Sequence, residues 1–143
     1  MFGNRVKQKN KFDVVVGLAI FTYANGMRMA LLRDSKGNYF LPNKNLKAGQ
    51  SAESIAEEIK KTSCSTPESS PQLITKCGFL SELNRYENHS QDISLVFRAD
   101  LSTTTSFGKG FYFFTQDEIA EIHANNNFSK DHGQMVEIAI NGR

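Results

Sequence analysis

The chain has 143 residues, enough for one ordinary domain with a real core and too few for two. Its 39% hydrophobic and 22% charged content excludes wholesale disorder, a collagen-like fibre and a coiled coil. A net charge of +2 demands neither a nucleic-acid nor a membrane partner.

Arg5, Lys7, Lys9 and Lys11 crowd the N-terminus without apolar periodicity, so residues 1–12 read as a solvated basic tail and 13–143 as a single domain. No apolar run approaches the ~20 residues of a membrane helix. The longest, Val14 to Phe21, has the length of a strand. Cys64 and Cys77 make neither a disulfide framework nor a zinc site, so a reduced, intracellular (by default cytoplasmic) setting is expected.

Val14 to Phe21 is continuous and rich in β-branched residues, which predicts a buried strand. Asn25-Gly26 follows, a pair that readily takes positive φ and signals a hairpin. Met27 to Arg33 is the returning strand, and Asp34 to Asn38 a second turn. Tyr39-Phe40-Leu41 is a short extended piece closed by Pro42, because proline holds its predecessor in β space. Residues 43–50 read as polar and irregular.

Ser51 suits a helix N-cap, and Ala52, Ile55, Ala56 and Ile59 form an apolar stripe, so 52–62 is an amphipathic helix. Ser63 to Pro71 breaks the chain with serines and two prolines, as a surface loop would. Leu73 to Leu80 and Ile93 to Ala99 are strands separated by a polar loop. Thr103 to Lys109 is another loop, and Phe111 to Phe114 an aromatic strand that reads as core. Thr115 caps a helix through Ile122, with Asp117 and Glu118 in the first turn, where the helix dipole favours them. Phe128 to Ile140 reads as a last turn and an edge strand. A mixed sheet between helices satisfies this order, an α/β (α+β) class; a ferredoxin-like or other α+β sandwich satisfies it too.

Leu41-Pro42, a polar loop to Gly49 and a helix containing Ala56-Glu57-Glu58-Ile59 resemble the Nudix box, G-x5-E-x7-R-E-U-x-E-E-x-G-U, with U aliphatic. The preceding hairpin and the closing Phe113-Phe114-Thr115-Gln116-Asp117-Glu118-Ile119 are also similar to that family, so the resemblance spans roughly residues 13–122. It implies a Nudix-like mixed β-sheet sandwiched between α-helices. It also implies a chemistry in which carboxylates on one helix face hold Mg²⁺ or Mn²⁺ and the metal promotes cleavage of a nucleoside diphosphate linked to another group.

The chain departs from the box at the positions that carry this chemistry. Asn43-Lys44 replace the Gly-Gly after Leu-Pro, and Gln50 replaces the glutamate after the loop glycine. The register that keeps Ile59 in the apolar stripe puts Glu57-Glu58 on the Arg-Glu pair and Lys61-Thr62 on the Glu-Glu pair. Only Glu58 then remains at a ligand position.

A non-catalytic domain is therefore expected, without a metal cofactor. It would bind a nucleoside diphosphate-type ligand through Lys44, Lys47 and Lys61, or a protein partner, with nucleic acid and membrane not expected. The alternative is a divergent hydrolase with Mg²⁺ or Mn²⁺ on Glu53, Glu57 and Glu58, and with Glu57 and Glu58 catalytic. Glu82, Glu87 or Asp92 could add a base to it. Whether the chain is an enzyme stays open at this level. His89, His123 and His132 show no ligand spacing, and there is no Gly-x4-Gly-Lys phosphate loop.

Overall fold

A computed structural model describes residues 12–23, 26–65, 74–83, 91–101 and 105–141. The basic N-terminal residues, Asn25, Leu73, Thr103 and the stretches 66–71 and 84–90 lie outside the described residues.

The first strand, β1 (Phe12–Thr22), is the centre of the sheet. It runs parallel to β7 (Gln91–Asp100), from Phe12 opposite Gln91 to Phe21 opposite Asp100. On its other edge it carries two antiparallel partners in succession. Strand β2 (Arg28–Arg33) covers the end of β1, with Ile20 opposite Ala30. Strand β4 (Asn43–Asn45) covers the middle, with Val16 opposite Lys44. Strand β3 (Tyr39–Phe40) pairs with β2, as does β9 (Tyr112–Phe114), and β6 (Ile74–Leu83) pairs antiparallel with β7. A small second ladder joins β5 (Cys64–Ser65) to β8 (Ser106–Phe107).

Alternation along β1 divides the core in two. Val16, Leu18 and Ile20 meet Ile55, Ala56 and Ile59 of α1 (Ala52–Ser63). Ala19 and Phe21 meet Ile119 and Ile122 of α2 (Gln116–Ala124), and Met135, Val136 and Ala139 of α3 (His132–Asn141). The result is a mixed sheet with helices on both faces, as the element order predicts. No helix among the described residues is long and apolar enough to cross a membrane.

Five expectations need correction. Residues 43–45 are not irregular. Three polar residues show no apolar alternation, but the edge of β1 that β2 leaves uncovered offers them a hydrogen-bonding partner. Cys64-Ser65 and Ser106-Phe107 are likewise strands inside the two expected loops, paired with each other and held by the Phe107 ring against Phe111 and Phe113 at 5.5 and 4.8 Å. The expected edge strand over 128–140 is helix α3 from His132 onward. Its β-branched residues argue for a strand, but Met135, Val136 and Ala139 lie three and four residues apart and bury together, and that burial overrides propensity. Finally, the aromatic strand is not all core: Tyr112 and Phe113 are exposed, while Phe111 and Phe114 pack inward on opposite sides.

The turns and caps follow the sequence closely. Asp34 Oδ1 accepts from the Lys36 and Asn38 backbone N–H groups, and Gly37 takes φ +88°. Ser51 Oγ accepts from Ser54 N–H at 3.1 Å, capping α1. Thr115 and Glu118 form a reciprocal capping box on α2.

Candidate functional site

The segment Leu41 to Asn45 sits between two environments. Strand alternation sends Lys44 towards α1, where its Nζ lies 2.6 Å from Glu58 Oε1. Asn43 and Asn45, on the other side of β4, line a cleft against α3.

On the α1 side, the Lys44 ammonium, donating to Glu58 and adding its charge, holds that carboxyl below its ordinary value, and Lys47 adds a further positive field. Both partners are 44% exposed, so water weakens the pair without removing it from the geometry. Glu57 turns instead to Lys60 at 3.5 Å, an i,i+3 contact along the helix. Glu53 is exposed in the first turn. Lys61 and Thr62 are exposed in the last turn, with Thr62 Oγ1 donating to Ile59 O at 3.1 Å. Gln50 is exposed in the turn that Gly49 closes at φ +84°. Of the residues singled out in the sequence, the structure thus brings Lys44, Lys47 and Glu58 together and leaves Glu53, Glu57 and Lys61 apart from them. The side chains of Glu82 and Asp92, and all of Glu87, lie outside the described residues. Among the described residues, no three His, Cys, Asp or Glu side chains form a group that could hold a metal ion.

The cleft on the α3 side, about 1120 Å³, is what reading the sequence missed. Val15 of β1 and Ile93 and Ser94 of β7 reach it from the sheet. His132, the first residue of α3, fixes its wall: Nδ1 accepts the Leu41 backbone N–H at 3.1 Å, and the ring packs edge-on against Phe40. That acceptor role requires the neutral imidazole. Burial pushes His132 below its ordinary pKa; nearby Asp131 opposes the shift and Lys130 adds to it. His123 packs against Phe128 in the same wall. The available signal was the Asn-Lys-Asn alternation after Pro42, but it needs a strand at 43–45 to mean anything. Burial raises the thiol pKa of both Cys64 and Cys77, which makes them poor nucleophiles.

No family model matches this sequence, and no curated protein matches it either. Solved structures do match by shape. The Ap4A hydrolase of C. elegans superposes with a TM-score of 0.64 at 11% identity, covering 89% of this chain and 95% of that one. The NUDIX domain of Shewanella oneidensis NrtR, crystallised with ADP ribose, gives 0.64 at 14% identity over 87% and 84%. A chain from the complex of the mouse MUTYH C-terminal domain with human PCNA gives 0.64 at 12% identity over 88% and 86%. At such identities the likeness speaks for architecture alone. This chain has the Nudix-like fold, a mixed sheet sandwiched between helices.

Proposed function

We propose that this chain is a Nudix-like domain that binds a nucleotide-type ligand and does not hydrolyse it. The observation that carries this reading is the Lys44–Glu58 pair. A hard divalent cation needs several anionic oxygens with lone pairs to give. The one glutamate left at a box position already engages an ammonium, whose charge repels any incoming cation. Gln50 and Lys61 stand where the resemblance calls for carboxylates, one neutral and one positive. This donor set does not fit Mg²⁺ or Mn²⁺.

Ligand binding is supported by the cleft beside β4 and by the ADP ribose held in the NrtR domain. A protein partner is a second reading. It is favoured by Phe79, 65% exposed on the outermost strand β6, and by the MUTYH domain's crystallisation in a complex.

Calorimetric titration of Mg²⁺ and Mn²⁺ into the full chain, with ADP-ribose present and absent, tests the proposal. The expected result is no saturable metal uptake and intact ADP-ribose after incubation. Saturable uptake together with release of AMP would instead establish the divergent hydrolase, with Glu53, Glu57 and Glu58 as the residues to replace.

A further inference from the structure

The chemistry of the α3 cleft is the reverse of a phosphate seat. Four side-chain amides line it: Asn43 and Asn45 from β4, Asn126 after α2, and Gln134 on α3. Asn43 Nδ2 donates to Leu41 O at 2.8 Å. The other three amides make no hydrogen bond to a described residue, so each offers a donor and an acceptor to a ligand. Val15, Ile93, Phe128 and Met135 supply apolar surface between them. Among the described residues, the charged lining is one cation, Lys130, against two carboxylates, Asp131 and Glu137.

The end of α2 and the start of α3 shape the wall of this cleft. His123 packs its ring against Phe128, and its Nε2, buried without a hydrogen-bond partner among the described residues, lies 4.0 Å from Glu137 Oε1. The described non-glycine residues with positive φ are Asn126 at 54° and Lys130 at 46°, and both line the cleft. Asn126 is the left-handed residue that ends α2, its N–H donating to His123 O and the Asn127 N–H to Ile122 O, so the chain turns into the cleft wall there.

Amides placed around apolar surface suit a flat heterocycle with donor and acceptor edges and a sugar with hydroxyls. A chain of phosphates, by contrast, would bring several negative charges against Asp131 and Glu137, with Lys130 the one lysine or arginine among the described lining residues to offset them. Lys44, the nearest further cation in sequence, points to the other side of β4 and is engaged with Glu58.

We propose that this cleft takes an uncharged nucleoside through its amides and discriminates against the same nucleoside carrying a 5′-polyphosphate. The proposal rests on the ligand-binding, non-hydrolysing reading above and departs from it in one respect: the preferred ligand is a nucleoside and not a phosphate-bearing nucleotide.

The test is metal-free calorimetry on the full chain at low salt and about pH 8, where ordinary imidazoles are neutral. The probes are adenosine, guanosine, cytidine and uridine, each against its 5′-triphosphate. At least one nucleoside is expected to saturate the protein, with its triphosphate roughly tenfold weaker and the gap narrowing as salt is added. The double variant Asp131→Asn, Glu137→Gln should shrink the ratio between the two, and Asn45→Ala should weaken both; thermal melts check that these variants fold. A triphosphate that binds tighter than its nucleoside overturns the proposal, as does failure of all four nucleosides to bind. Tight triphosphate binding without turnover would sink the charge selection and leave the non-hydrolysing reading intact. Metal-dependent turnover would sink that reading, while the metal-free preference would still be measured.

Discussion

His132 ties the start of α3 to the segment that carries Asn43, Lys44 and Asn45, through one hydrogen bond from Leu41 N–H. Replacing it by alanine leaves that buried donor without a partner, at a cost of about 1–3 kcal/mol. His132→Asn, whose amide oxygen can stand near the Nδ1 position, should recover part of the loss; equal melting temperatures for the two variants would contradict this role. The bond also sets a pH dependence. A histidine whose folded pKa is depressed binds its proton more readily when unfolded. Stability from His132 is therefore complete above the ordinary histidine value and falls as pH drops from there towards the lowered folded value. The alanine variant should lose that slope in denaturant melts. None of this can be read from the sequence, where His132 is one histidine without ligand spacing. The partner of Nδ1 is a backbone amide 91 positions away. Glu58 and Lys44 were both visible as candidates, one for a metal and one for a phosphate. That they satisfy each other depends on the strand at 43–45, which turns Lys44 towards α1.

Elements whose determinants are local were legible: the Asp34 turn, the Ser51 cap, the Thr115–Glu118 box and the apolar stripe of α1 all lie within a few residues of what they organise. Those decided by distant partners were not. Strand β4 exists because β1 has an open edge, and α3 is a helix because its apolar face meets β1 and β7. The contact between α3 and the sheet is close at Gly17, where an added Cβ would lie 2.4 Å from Met135 Cε and 3.8 Å from Leu41 Cδ1. Alanine asks only the flexible end of Met135 to move. Valine asks more, and Gly17→Val is expected to cost about 1–3 kcal/mol by lifting α3 away from β1. Because α3 forms the cleft wall, loss of ligand affinity should accompany it. A Gly17→Val protein as stable as the parent in urea would mean that α3 is not packed there as described.

Across the whole molecule, the two faces of the sheet carry different side chains. The α1 face holds Glu58, paired to Lys44. The opposite face holds the cleft, and α3 is clamped there at its far end by Arg98. That guanidinium donates to Ala139 O at 3.0 Å and to Asp100, and lies 4.0 Å over the Phe21 ring; Tyr23 hydrogen-bonds the same Asp100. The architecture was legible because the order of periodic segments survives even where the reactive residues differ. The cleft beside α3 was not, because it is assembled from four separate parts of the chain.

The most direct test is a Mn²⁺ titration of the ¹⁵N-labelled chain, watching which backbone amides lose intensity to the paramagnetic ion. With Glu58 held by Lys44, no preferential loss at 57–62 is expected in the parent protein. Saturable broadening centred on Glu57 and Glu58 in the parent protein would show that α1 does hold a metal, and would contradict the reading of this domain as one that binds without cutting.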